Sequence, residues 1–483
     1  MKKQIVYLLF LGLCLNACST WLDVTPRGDE TLEQMITSYR GIKDILTGCY
    51  IKLNSRSIYG ENLTMSHVEA LAQMWAINQS TSQRDADKAF AIYDYENIYA
   101  KNAISSIYLN LYNVIVQANT IILNLEPNRH VITDPVALGI IKGEVYAIRA
   151  LCHLDVLRLF GQMPNHPSRQ VSLPYAETVS SRDLPRYYSY EHFIKKIEDD
   201  LLVAEDALKE IDPVFTMGMT SNSNSDDFLN YRGHYLNYYA VKALQARLYL
   251  YTNQTDKAYA AAKVVYDAQP VKLSAMEDFS QNFLACPGEC IFALSNNSLM
   301  DYSRNVVGQG TPNIQEPHLY LTNARLTELF DNISDNRRMY VWNRSSINAL
   351  NTVLPVIKKY WYDIGIGYSN EQRLLKLDII PMIRMCEIYF ILMETSTLAE
   401  ANKYYQEYMQ SARSVIVDQE YTAEELQTII VNEIRREFFA EGHMFYTYKR
   451  LGVKNMMWGE IDMSENEYER YIVPLPDSEF DPA

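Results

Sequence analysis

Apolar residues recur every three to four positions through most of the chain, and this spacing predicts amphipathic helices. In the first such segment Ile42, Ile45, Leu46, Cys49 and Leu53 share one helical face. The same spacing predicts helices over residues 36–54, 101–125, 136–160, 190–209, 233–252, 256–268, 381–396, 400–416 and 422–441.

The helices are predicted to pack in pairs. Residues 239–262 place small side chains, among them Ala243, Ala246 and Ala258, where two antiparallel helices must approach closely. This spacing is typical of tetratricopeptide repeats, and a similar rhythm returns over residues 381–416. The pattern therefore predicts an all-α fold, with tetratricopeptide-like helix pairs forming a scaffold over about 36–54, 101–268 and 381–441.

Two stretches, residues 54–98 and 270–380, lack the helical pattern. Residues 54–98 are mixed and contain Trp75 and a polar run over 78–85, whereas residues 270–380 carry glycine, proline, asparagine and scattered aromatic residues. We expect loop-rich regions there, with a few short strands in the second, and irregular loops on a rigid scaffold commonly carry binding sites. Residues 36–483 are predicted to form a single body.

The N-terminus has the pattern of an export signal. Lys2 and Lys3 precede an apolar run that ends near Leu13, and Ala17 stands before Cys18. The run is shorter than the roughly 20 residues that a membrane-spanning helix needs. We therefore predict a signal peptide over 1–17, acylation of Cys18 at the new N-terminus, and a lipidated tether over 18–35.

Net charge and cysteine content limit the kinds of binding partner and metal site that we expect. The formal net charge of −15 argues against nucleic acid and against electrostatic docking on anionic lipid, so membrane contact is expected through the lipid anchor only. Of the cysteines after Cys18, only Cys286 and Cys290 are closely spaced, which leaves open whether they form a disulfide. No second pair or histidine set has zinc-ligand spacing. We expect no cofactor, and the sequence leaves a structural metal ion open.

The common catalytic motifs are absent from the sequence, which has no Gly-x-Ser-x-Gly, no phosphate-binding Gly-x4-Gly-Lys-Ser/Thr and no His-Glu-x-x-His. A glycoside hydrolase needs only two facing carboxylates and stays a distant alternative. We expect a protein that is not an enzyme, and we assign no catalytic residue.

Several motifs follow one another in a fixed order along most of the chain. They are Cys18-Ser19-Thr20-Trp21-Leu22-Asp23, the helical segments 112–119, 143–150 and 159–164, the segment 381–389, Glu433-Ile434-Arg435-Arg436-Glu437-Phe438-Phe439, and residues 471–476. In this order they resemble the SusD/RagB family of Bacteroidetes, surface lipoproteins that cap TonB-dependent transporters and capture glycans or other nutrients.

The resemblance implies a lipid-anchored protein of the outer membrane and cell surface. Its expected role is to capture an oligosaccharide or polysaccharide and to deliver it to a SusC-like TonB-dependent transporter. A peptide nutrient is the alternative. The charged residues of the motifs lie at helical spacings typical of ion pairs between helices, and we do not assign them to the ligand. These residues are Glu144, Arg149, Arg435, Arg436, Glu437 and Glu441.

Family members that bind glycans do so with loops near the N-terminus and with an irregular insert. A pyranose offers an apolar face and a rim of hydroxyl groups, so it is recognised by aromatic rings with polar neighbours. The chain has 37 tyrosines and 5 tryptophans against 15 phenylalanines, which favours rings with a polar tip. The candidate ligand-binding residues are Trp75, Asn78, Gln79, Arg84, Asp85, Tyr302, Trp342 and Trp361.

Overall fold

The structure is a computed structural model that describes residues 31–80, 82–166, 170–180, 185–307, 318–347, 353–411, 413–459 and 461–480. The predicted signal peptide and the predicted lipidation site at Cys18 lie outside these ranges.

The described residues are mostly helical, as the sequence predicts. The helices are α1 (Leu32–Ile36), α2 (Tyr39–Leu53), α3 (His67–Leu71), α4 (Asp85–Ala91), α5 (Ile98–Leu125), α6 (Pro135–Phe160), α7 (Tyr190–Leu208), α8 (Val214–Met217), α9 (Tyr238–Tyr251), α10 (Thr255–Ala268), α11 (Met276–Ser280), α12 (Leu299–Val306), α13 (Asn323–Leu329), α14 (Asn370–Gln372), α15 (Met385–Thr395), α16 (Leu398–Gln410), α17 (Ala423–Glu437) and α18 (Met444–Leu451). The strands are β1 (Ala76–Ile77), β2 (Leu173–Tyr175), β3 (Arg186–Tyr188), β4 (Cys290–Ser295), β5 (Leu319–Tyr320), β6 (Trp342–Ile347), β7 (Val353–Ile357) and β8 (Ile379–Arg384).

The long helices pack against their neighbours and form the scaffold. α5, α6 and α7 lie side by side, α9 packs on α10, and the series continues through α15 and α16. Local sequence fixes where several of them begin. Asp134 stands just before Pro135, the first residue of α6, and its side chain accepts a hydrogen bond from the Val136 backbone amide. The prediction of a helical scaffold is confirmed.

Several helix boundaries differ from the prediction. The apolar run at Pro381 to Arg384 belongs to strand β8, because it is buried on both faces and pairs antiparallel with β4, and the helix begins only at Met385. α9 begins at Tyr238, where the Asn237 side chain caps it. α16 ends at Gln410, short of the predicted 416, and helix α18 was not predicted at all.

The strands are few and short, and all pair antiparallel. β4 pairs with β8 and β6 with β7, while β1 pairs with β5 and so joins the N-terminal loop region to the insert. One large cluster of buried side chains extends from Ile42 to Val473. The predicted short strands of the insert are therefore confirmed, and they pack on the same core as the helices.

Charged residues of the helical motifs, Arg149 and Glu144 among them, form buried ion pairs between elements, as the sequence predicts. Arg149 of α6 reaches Asp200 of α7 at 2.6 Å. Glu144 lies 2.6 Å from Arg232, and Tyr50 of α2 donates to the same carboxylate at 2.7 Å. Breaking such a pair on one side leaves a buried charge and costs roughly 3–5 kcal/mol.

Across the ranges that the structure describes, no helix combines the length and the apolar character that a bilayer crossing requires.

Glu69 of α3 joins the N-terminal loop region to the turn after α17. It is fully buried, and its Oε1 accepts a hydrogen bond of 2.8 Å from the Gly442 amide. Gly442 has a φ of +77°, and a Cβ there would lie 2.0 Å from the Leu63 carbonyl oxygen, so only glycine fits. The Glu69 Oε2 atom has no hydrogen-bond partner among the described residues. Burial, the largest cause, raises the pKa of Glu69 to about 8.

We predict that Glu69 makes the protein less stable as the pH rises from 5 to 8. In the unfolded chain a glutamate has a pKa of about 4.3, so in this window the folded state binds more protons, and the stability present at low pH is lost as the pH approaches 8. In urea denaturation, the free energy of unfolding of the unmodified protein should fall by on the order of 2–4 kcal/mol from pH 5 to pH 8 because of Glu69. A Glu69→Gln variant should not show this decrease. The exposed Glu33→Gln serves as the control, and identical pH profiles for Glu69→Gln and the unmodified protein would contradict the prediction.

Candidate functional site

The N-terminal loop region and the insert meet in the structure through residues that are 242 or more positions apart in sequence. Ala76 pairs with Tyr320, and Ile77 pairs with Leu319. The Tyr302 hydroxyl of α12 donates a 2.8 Å hydrogen bond to the Gly60 carbonyl oxygen. We call the surface formed by residues 54–80, 299–307 and 358–363 the loop face, and two of the candidate rings, Tyr302 and Trp361, lie on it.

Trp361 is a partly exposed ring with two cations close to it. The Lys358 Nζ atom lies 5.0 Å from the centroid of its ring and the Arg304 guanidinium 5.9 Å. Its indole Nε1 is buried and donates to no atom of the described residues. An apolar ring face with N–H donors beside it is the arrangement that suits a sugar, whose CH groups stack while its hydroxyls bond.

The residues just before Trp361 hold it rigidly against the scaffold. The Lys359 Nζ atom donates to Glu441 Oε1 at 2.6 Å and to the Phe439 carbonyl oxygen at 2.9 Å. The Tyr360 hydroxyl donates to the Ala440 carbonyl oxygen at 2.7 Å. Because its two preceding side chains are buried and bonded, the indole is held in place at little further entropic cost on binding.

Tyr302 is half-buried beside Arg56. The Arg56 guanidinium lies 4.9 Å from the centroid of its ring, and the Asn296 amide donates to its hydroxyl at 3.3 Å. Burial raises the pKa of Tyr302 above its ordinary value, so the hydroxyl stays protonated. The ring and the guanidinium together extend the polar aromatic surface from α12 to the N-terminal loops.

Trp75 and Trp342 lie in the core. Each is 4% exposed, and each packs edge-on against Phe439, with ring centroids 4.7 and 5.0 Å apart. The Trp75 Nε1 donates to the Met65 carbonyl oxygen at 2.8 Å. In this structure neither ring presents a face to solvent, and both support the loop face from below.

Among the polar candidate residues between 78 and 85, some side chains are accessible and others are buried or paired. Gln79 is exposed and Asn78 is partly exposed. The backbone N–H of Asn78 donates to the His318 carbonyl oxygen at 2.9 Å. Arg84 is buried, and its Nη1 donates to Glu61 Oε1 at 2.7 Å. Asp85 pairs with Lys88 at 3.0 Å on the surface. Arg84 thus fixes the loop, while Asn78 and Gln79 are accessible beside β1.

Sequence reasoning missed the cations of the loop face. Arg56, Arg304 and Lys358 come from three separate elements and share no motif. Arg304 and Lys358 stand close in sequence to the candidate rings Tyr302 and Trp361, which was the one available signal. Arg56 approaches Tyr302 only through the fold.

One group of side chains has the proximity of a metal site, namely Cys286, Glu289 and Glu437. Both carboxylates are already neutralised, because Arg413 donates to Glu289 at 2.7 Å and to Glu437 at 2.6 Å. Burial raises the pKa of the Cys286 thiol to about 12, so it stays protonated and is a poor ligand. These residues do not fit a metal ion.

The five described cysteines are buried and free. Cys286 and Cys290 therefore form no disulfide in this structure, and the Cys290 thiol instead faces the Cys286 carbonyl oxygen at 3.6 Å. The others are Cys49, Cys152 and Cys386.

The sequence and the fold both have relatives. Residues 20–217 match the model of a SusD-like family described as starch-binding and associating with the outer membrane. SusD-like protein P25 of Formosa agariphila is 28% identical over 168 residues, which are 34% of this chain and 31% of that protein. The match thus spans less than a third of that relative's length.

Solved structures share the whole fold. A SusD superfamily protein of Bacteroides thetaiotaomicron superposes with a TM-score of 0.69 at 21% identity, covering 92% of this chain and 98% of that one. A putative sugar binding protein of Bacteroides vulgatus gives 0.68 at 19% identity, covering 94% and 97%. A SusD homolog of Bacteroides thetaiotaomicron gives 0.71 at 14% identity, again covering 94% and 97%. At these identities the likeness establishes the fold.

The ordered motifs of the sequence, the family match over residues 20–217 and the fold shared along the described chain agree. Residues 20–217 are thus similar in sequence to a SusD-like family, and the described chain shares its fold with SusD superfamily structures.

Proposed function

We propose that this protein is a glycan-binding lipoprotein of the outer membrane, anchored to the cell surface through Cys18. It captures an oligosaccharide or polysaccharide on the loop face and passes it to a SusC-like TonB-dependent transporter. The family description, starch-binding and associating with the outer membrane, supports this role. So does the sugar binding ascribed in name to a protein of the same fold.

The observation that carries the proposal is the surroundings of Trp361. The indole is partly exposed, its neighbours Lys359 and Tyr360 are anchored in the core, and Lys358 and Arg304 place N–H donors beside it. Tyr302 with Arg56 adds a second ring and a third cationic donor on the same face. Asn78 and Gln79 are the proposed polar partners from the N-terminal loops.

The proposed binding is modest and not followed by cleavage. An open face buries little ligand surface against the cost of ordering the sugar, so we expect dissociation constants of about micromolar to millimolar. Such an affinity suffices when the transporter encloses the ligand from the other side. The protein needs no catalytic carboxylates for this role.

Replacing Trp361 by alanine should lower glycan affinity about ten-fold, since it removes the stacking ring and leaves the buried anchors in place. The measurement is affinity electrophoresis or calorimetry against a panel of plant, microbial and host glycans. Tyr187→Ala removes an exposed ring on β3, outside the loop face, and should leave the affinity unchanged.

Two outcomes would count against this assignment. Equal glycan affinity in Trp361→Ala and the unmodified protein would remove the site from the loop face. If the protein bound peptides and none of the glycans in the panel, the nutrient would be a peptide and not a glycan. Trp75→Ala is unsuitable as a test, because it would open a cavity in the core and destabilise the fold.

The transporter partnership is testable in the native membrane. An affinity-tagged chain, extracted in mild detergent, should bring down a large integral β-barrel protein in comparable amount. A Cys18→Ala variant should leave the membrane fraction, because each acyl methylene contributes about 0.8 kcal/mol to anchoring. Recovery of soluble proteins alone with the tagged chain would contradict the partnership.

A further inference from the structure

The two basic side chains beside Trp361 carry charges that the fold does not neutralise. The Lys358 Nζ atom and the Arg304 guanidinium lie 5.0 and 5.9 Å from the centroid of the indole ring, and both side chains are partly exposed. Within the ranges that the structure describes, neither forms an ion pair with an acidic residue. Two full positive charges therefore stand at one partly exposed ring.

Other basic residues in and near the loop face are paired, which sets these two apart. Each of three has a carboxylate in contact, and its charge is balanced there. The pairs are Arg56 with Glu61 at 2.7 Å, Lys359 with Glu441 at 2.6 Å and Arg373 with Asp378 at 2.9 Å.

Two acidic residues of the same segments do not neutralise the cations. Asp301 is exposed and stands one helical turn before Arg304 on α12, yet the two form no ion pair. Asp363 is exposed, and its Oδ1 atom accepts a hydrogen bond of 2.9 Å from the Gly365 amide. Neither aspartate is paired with Lys358.

Local structure holds both cations at the ring. The Trp361 amide donates to the Lys358 carbonyl oxygen at 3.2 Å, which closes a turn and brings the two side chains together. The buried Ser303 hydroxyl donates to the Tyr360 carbonyl oxygen at 3.1 Å and so ties α12 to this turn. Arg304 and Trp361 each follow directly after one partner of that bond, so the fold itself places the guanidinium beside the indole.

An indole with free cations beside it suits an acidic sugar better than a neutral one. A pyranose that stacks on the ring carries its substituents at the edge, where the cations lie. A guanidinium can bind an oxyanion through two parallel N–H donors, and an ammonium acts as a point charge. A neutral sugar would use the N–H donors alone, whereas an acidic sugar also gains the attraction between opposite charges.

The acidity of the whole chain does not prevent this. The formal net charge of −15 repels a polyanion at long range. At physiological ionic strength the Debye length is about 8 Å, so distant surface charges are largely screened, while groups in contact are screened much less. The charges nearest the ligand therefore decide which glycan is preferred.

We propose that the glycan captured on the loop face is acidic, with a carboxylate or sulfate group that Lys358 and Arg304 bind while its pyranose ring stacks on Trp361. This inference rests on the proposed function and names the class of glycan. Uronic acids and sulfated sugars share the required chemistry, since both carry a negative charge at the edge of the ring.

Calorimetry or affinity electrophoresis with matched glycan pairs that differ in charge tests the inference. The pairs are polygalacturonate and its methyl ester, alginate and its propylene glycol ester, and a sulfated galactan and its desulfated form. We expect the unmodified protein to bind the charged member of at least one pair about five-fold more tightly than the neutral member. A preference in the first two pairs assigns a carboxylate, and a preference in the third assigns a sulfate.

The double variant Lys358→Gln with Arg304→Gln keeps N–H donors at both positions and removes both charges. The ratio of charged to neutral affinity should then fall to about one or below. Raising sodium chloride from about 50 to 500 mM should lower the ratio in the unmodified protein, because salt screens exposed ion pairs. Arg129→Gln with Lys142→Gln is the matched control, since it removes one exposed arginine and one exposed lysine outside the loop face, and it should keep the ratio.

The outcomes separate this inference from the proposed function. Equal affinity within every pair, or binding of neutral glycans alone, would overturn the inference and leave glycan capture standing. A preference for charged glycans that persists in the double variant would overturn the assignment to Lys358 and Arg304. Binding of no glycan, charged or neutral, would overturn the proposed function together with the inference.

Discussion

The fold depends on one buried cluster of arginines and glutamates where the insert meets the scaffold. Glu437, the last residue of α17, accepts hydrogen bonds of 2.6 Å from both Arg384 and Arg413. The same two arginines reach Glu289, just before β4, at 3.2 and 2.7 Å. Burial alone would raise the pKa of Glu437, yet the guanidinium groups of Arg413 and Arg384 hold it well below its usual range. The cluster is therefore charged, and losing one member would leave a buried charge unpaired.

This cluster determines where the loop face lies. Arg384 also bonds Glu441, and Glu441 receives Lys359, which stands two residues before Trp361. The irregular insert is thus tied to the turn after α17, and Glu69 ties the N-terminal loops to the same turn through Gly442. Two segments built of loops and short helices and strands are thus held by charges and a close glycine contact. A binding surface on loops can be rigid for this reason.

The scaffold could be predicted from the sequence because its helices repeat an apolar spacing that no other structure satisfies over 15 or more residues. The short run at Ile379 to Arg384 could not, since a fully buried strand and a buried helix look alike at that length. Of the four predicted aromatic rings, the structure places Tyr302 and Trp361 on the loop face and the other two in the core. Trp75 and Trp342 differ from Trp361 in that both pack on Phe439, a contact set by long-range packing and carrying no local signal. The cations around Trp361 and Tyr302 likewise meet only in three dimensions.

The proposed ligand site lies on the loop face, which the buried charge cluster ties to the scaffold. The most direct test is hydrogen–deuterium exchange of the chain with and without a saturating glycan. We expect slower exchange in residues 54–66, 299–307 and 358–363, with exchange in α9 and α10 unchanged. Protection confined to the scaffold helices, with none in those three segments, would contradict it.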